Sequence, residues 1–154
     1  MATPIRKVDV VGIPSTDGER SRPQTGRAVA DLITKVDAIG IPSSDTERSR
    51  EFYVETLGLR PDENARLEFW IDQTCFEIWE PRWHGLEFQP QATSIALLHV
   101  DDVAAARERL EAKGVQFDGE TRDTGVCHMA HFSDPDGNPL TLHRRYAPYA
   151  DDAS

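Results

Sequence analysis

From residue 35 onward, the side-chain pattern changes period in the same order twice. VDAIGIP (36–42) reads as a strand, and Ser44 or Asp45 caps a helix that closes at Gly58. A weaker strand around LRPDE precedes ARLEFWID and TCFEIWE, which alternate on either side of a short Asp72-Gln73 turn. ATSIALLHV then starts the order again. Asp101 or Asp102 caps VAAARERLEAKG, whose Val103, Ala106 and Leu110 share one helix face and which stops at Gly114. VQFDGET, GVCHMAHF, the turn DPDGN and PLTLHRR complete the second round. Each round is a βαβββ module. A four-stranded sheet carrying one helix covers only one of its faces. Two such sheets side by side leave their other faces curving around a cavity. The predicted fold is α+β: a cup-shaped mixed β-sheet with helices on the outside.

A shorter repeat precedes the modules. KVDVVGIPSTDGERSR (7–22) returns as KVDAIGIPSSDTERSR (35–50), with 12 of 16 positions identical. Only the second copy continues into a helix. In the first, Pro23 ends any helix begun by Glu19 to Arg22. Two copies without a third do not make a repeat array. Residues 1–34 are read as an appended, incomplete copy. It either packs as an extra element or competes with the second copy for one place in a sheet.

A formal net charge of −10 disfavours phosphate backbones and anionic lipid, so neither nucleic acid nor membrane is an expected partner. No stretch approaches the roughly 20 apolar residues of a membrane span. The N-terminus has no long apolar core of the secretory kind. Cys75 and Cys127 are too few for a disulfide scaffold, which favours buried free thiols in a reducing cytoplasm. No phosphate-cradling glycine loop is present, so no nucleotide cofactor is expected.

DAIGIPSSDTERSREFYVETLGL, LLHVDDVAAARERLEAKGV and FSDPDGNPLTLH, in this order and spacing, resemble the vicinal-oxygen-chelate superfamily of glyoxalases, bleomycin-resistance proteins and extradiol dioxygenases. The likeness covers residues 35–146, leaving 147–154 as a tail. Metal-dependent members of that family place one ligand, usually His, Glu or Gln, on the first and last strand of each module. The positions carried over here are Ala38, Glu77, Ile95 and Thr141. Ala and Ile offer no lone pairs, and a neutral hydroxyl is a poor ligand for a divalent transition metal. The resemblance therefore implies the family's cup without its standard metal, and no cofactor is expected. It also implies a homodimer.

Alternation sorts the faces once Glu77, Ile95 and Thr141 are taken to point inward. Arg66, Glu68, Trp70, Cys75, Trp79, Leu97, His99, Cys127, Met129, His131 and His143 then line the cup with them, and the opposite set is consistently apolar. Apolar walls with a few polar handles suit a small-molecule pocket. The expected role is binding of an apolar or aromatic metabolite or drug. Glu77 with His131 or His143 is the candidate acid–base pair of a metal-independent isomerase, lyase or cyclase. Glu77, His131 and His143 together are candidate ligands of a relocated metal site. Each residue also has a plainer reading: the tryptophans as core, Glu77 as an ion-pair partner of Arg66, His99 as a strand-end histidine. His128 is expected to point outward. His84 and Trp83 share a loop, with Trp83 at a pocket rim. Residues 1–34 are also open to a role in protein contacts.

Overall fold

The computed structural model describes residues 33–149 and, by backbone pairing, the strand at 7–11. The expected helix start at Glu19–Arg22 and the tail beyond residue 149 lie outside the described residues. In chain order the strands are β1 (Lys7–Val11), β2 (Ala38–Pro42), β3 (Arg60–Pro61), β4 (Glu68–Ile71), β5 (Thr74–Trp79), β6 (Ala96–His99), β7 (Phe117–Asp123), β8 (Cys127–Ser133) and β9 (Pro139–Arg145). Helix α1 (Thr46–Glu51) follows β2, and α2 (Val103–Ala112) follows β6.

The strands form two mixed sheets. Module one is ordered β2-β5-β4-β3, with β2 parallel to β5 and the rest antiparallel. Module two repeats the order as β6-β9-β8-β7. Its sheet has five strands, because β1 from the appended copy pairs antiparallel with β6.

The helices start where the caps predict. The Asp45 carboxylate accepts from the Arg48 N–H at 3.1 Å, and Asp102 accepts from Ala105 N–H at 3.0 Å. Beyond Glu51 the first helix widens into a π-helical turn, Phe52–Thr56, with Leu57 N–H donating to Phe52 O. That turn seats Tyr53 in the core, where its ring stacks near Phe69.

The core lies between sheets and helices. Ile39, Ile41, Phe69, Ile71, Phe76 and Ile78 bury one face of module one. Ala96, Leu98, Ala130, Phe132, Leu140 and Leu142 bury the matching face of module two against Val103, Ala106 and Leu110 of α2. A one-residue slip would turn every one of these side chains to the other face, so the register is strongly specified. Both cysteines are buried and free.

Candidate functional site

The non-core face of module two is set by strand register. Leu97 (β6), Thr141 (β9), His131 (β8) and Asp118 (β7) lie opposite one another in one row across the sheet. His99, His143, Met129 and Arg122 form the next. Cross-strand partners stand roughly 5 Å apart, within direct reach of each other. Thr141 is 1% exposed, and its hydroxyl lies 2.9 Å from His131 Nδ1. His99 and His143 are buried, whereas His131 and Met129 are half-buried. His99 Nε2 sits 3.7 Å from Asp101, close to its strand-end reading. Cys127 is buried at the start of β8, its sulfur 3.0 Å from the Thr124 hydroxyl. His128 points the other way, toward Asp123 and the Tyr146 ring.

Module one presents Ala38 and Gly40 of β2, Cys75, Glu77 and Trp79 of β5, and Glu68 and Trp70 of β4 on one face. Trp70 is half-buried, and its indole N–H donates to Asp62 at 2.8 Å. That bond leads the influences holding the Asp62 carboxyl below its usual range. Trp79 is half-buried against Gly40, with His84 edge-on to its ring at 5.9 Å. Burial, then the neighbouring Glu68 carboxylate, pushes the Cys75 thiol up to about 11, so it stays protonated and inert at neutral pH. Glu77 is exposed and stands directly across from Glu68. The apolar enclosure expected for an acid–base residue is therefore missing. Arg66 is exposed and pairs with Glu47 rather than with Glu77. His131 bonds Thr141 on the other module's sheet from Glu77.

Sequence reasoning missed the reach of the DPDGN turn, which joins the two modules. The buried Asp134 carboxylate accepts from Tyr53 Oη at 2.8 Å and from Asn138 Nδ2 at 2.7 Å. Asn138, fully buried, also donates to Pro42 O at 2.8 Å and accepts from Gln91 N–H at 3.0 Å. Asp136 accepts from the hydroxyls of Ser43, Ser44 and Ser49 and from the Arg48 guanidinium. Burial pushes its carboxyl up, but these bonds together outweigh burial and hold it below the ordinary range. Among the described residues, a cavity of about 390 Å³ opens beside this joint, lined by Ser43, Glu80, Pro81, Leu86 and Phe88. The exposed Trp83 stands on the same 81–88 loop but does not line that cavity.

The metal positions implied by the resemblance can be tested on their chemistry. Ala38 and Ile95 carry no donor atoms, the Thr141 hydroxyl is engaged with His131, and Glu77 faces Glu68. A divalent transition metal needs at least three protein ligands, and this set does not fit one. Among the described residues, no group of three or more His, Cys, Asp and Glu side chains is arranged to hold a metal ion.

Residues 35–142 match the family model described as the glyoxalase/bleomycin resistance protein/dioxygenase superfamily. The chain is 32% identical to TnmS3, an antibiotic binding protein from Streptomyces sp. CB03234, over 74% of this chain and 98% of that one, with a TM-score of 0.61. It is 31% identical to a glyoxalase/bleomycin resistance protein from the same Streptomyces, over 71% of this chain and 100% of that one, with a TM-score of 0.57. A superfamily member from Sphaerobacter thermophilus DSM 20745 is 28% identical over 73% and 98%, with a TM-score of 0.62. Among curated proteins, none matches.

Proposed function

Because this chain belongs to the glyoxalase/bleomycin resistance protein/dioxygenase superfamily, we propose that it is a small-molecule binder that holds an apolar or aromatic metabolite or drug without a metal. The observation that carries this reading is Thr141. It stands where the family pattern wants a carboxylate ligand, and its buried hydroxyl is bonded to His131. Trp70 and Trp79 supply half-buried stacking surface, with Met129 and Leu97 as further apolar wall. His131, His143 and His99 supply polar handles. The likeness to an antibiotic binding protein supports the same reading.

The test pairs two measurements on protein purified without chelator. Elemental analysis should find no stoichiometric Zn, Fe, Mn or Ni. Titration with a panel of planar aromatic antibiotics, followed by tryptophan fluorescence, should show saturable quenching. Trp70→Phe and Trp79→Phe should each weaken binding of the best compound by up to about tenfold, the worth of roughly 1.4 kcal/mol of stacking. A tightly held ion that is lost in Glu77→Gln would overturn the proposal.

A further inference from the structure

The two copies of KVD meet different fates. In the first copy these residues open β1, with Lys7 opposite His99, Val8 opposite Leu98, Val10 opposite Leu97 and Val11 opposite Ala96. In the second copy, Lys35, Val36 and Asp37 lie outside any strand, and β2 begins only at Ala38. Val36 is 50% exposed, and Lys35 pairs with Asp37 at 2.8 Å in solvent. Local propensity cannot explain this, because the residues are identical. Strand formation depends on a partner edge, and the edge has one occupant.

The second copy reaches toward that same edge. β2 takes its ladder from β5. Its Gly40 and Pro42 carbonyls are instead held by side-chain amides, Gln91 Nε2 at 3.1 Å and Asn138 Nδ2 at 2.8 Å. Gln91 lies shortly before β6, and Asn138 immediately precedes β9, the strand paired with β6. The end of β2 is therefore anchored beside the start of β6, where Val11 faces Ala96.

We propose that the outer edge of β6 is a strand-acceptor site with two rival occupants in one chain: residues 7–11, which hold it here, and residues 35–39, whose first three lie outside any strand and whose last two pair on their other side with β5. The 28-residue offset of the repeat puts Lys35 opposite His99, Val36 opposite Leu98 and Ile39 opposite Ala96 after exchange. That exchange would run the β2 sheet directly into the β6 sheet and change the approach of the two candidate ligand faces. The last consequence rests on the ligand-site reading above; the strand exchange does not.

Hydrogen exchange on the full chain, without ligand, tests the exchange alone. In the native protein, the amides of 8–11 and 96–99 are protected and those of 35–37 are not. Val8→Pro with Val10→Pro removes ladder donors from β1, since proline has no N–H and is not accommodated in a paired strand. Residues 35–37 should then gain protection by about tenfold or more, with 96–99 still protected and sedimentation unchanged. Adding Val36→Pro should abolish the gain. The proposal fails if 35–37 stay unprotected in the double variant or are already protected in the native protein. It fails if the gain comes with a rise in mass, which makes a second copy the occupant. It also fails if the double variant loses protection across β4 and β5, because a strand with a ready replacement is not required for the fold.

Discussion

Glu68 and Glu77 face each other across β4 and β5, an arrangement that strand pairing alone disfavours. Glu77→Gln should therefore raise stability, by about 0.2–1 kcal/mol in denaturant titration. A matching fall in ligand affinity would mark the carboxylate as one kept for its use. Asp136 behaves oppositely, because its carboxylate is 1% exposed and tied to three serines and Arg48. Asp136→Asn should cost about 2–3 kcal/mol at neutral pH, the worth of bonds to a charged group. The folded carboxyl titrates below its unfolded value of 3.8, so its contribution is complete above that pH and is lost as pH falls through the lower folded value. The gap between variant and native protein should shrink only below about pH 3.8 in acid-unfolding curves. Neither residue's partners were legible from local pattern. Alternation gave Glu77 its face, but whether that face is wet depends on what stands over it. Asp136 reads as a turn residue, and its serine partners lie some ninety positions away.

At the scale of elements, most of the fold was legible, because both periodicities are clean. Phe69, Ile71, Phe76 and Ile78 alternate with Glu68, Trp70, Cys75 and Glu77, and the structure buries the first set. Both helices begin at aspartate caps that the sequence displays. The π-helical turn at Phe52–Thr56 was not legible, because its run of side chains suits an ordinary helix. Its seating of Tyr53 against Asp134 is a tertiary contact. The pairing of β2 with β5 hides another constraint. A Cβ on Gly40 would meet the Trp79 ring at 3.3 Å, and His84 stands at another side of that ring. Gly40→Ala should cost about 1 kcal/mol by overpacking and shift the tryptophan emission to the red as the ring moves outward. In a Trp79→Phe background, the cost should largely vanish, a coupling that a double-mutant cycle reads directly.

Among the described residues, the modules are joined by polar bonds, most of them through one turn, rather than by a shared strand ladder. Asn138 sits at the centre of that joint. Its amide nitrogen bridges Pro42 O and the Asp134 carboxylate, and its oxygen takes the Gln91 N–H. Asn138, Asp134 and Pro42 are buried, so removing the Asn138 amide leaves their groups unsatisfied. Asn138→Ala should cost about 2–4 kcal/mol and begin to separate the unfolding of the modules, so that amides of β4–β5 and β8–β9 lose protection at different denaturant concentrations. Asn138→Asp should be worse at neutral pH. It replaces an N–H donor with an acceptor opposite a carbonyl and sets a second negative charge beside Asp134. Protonating the introduced carboxyl restores a donor, so the two variants should converge as pH falls below about 5. If Asn138→Asp instead matches the native protein and the modules keep unfolding together, the turn only closes a hairpin, and the joint between the halves lies in their apolar packing.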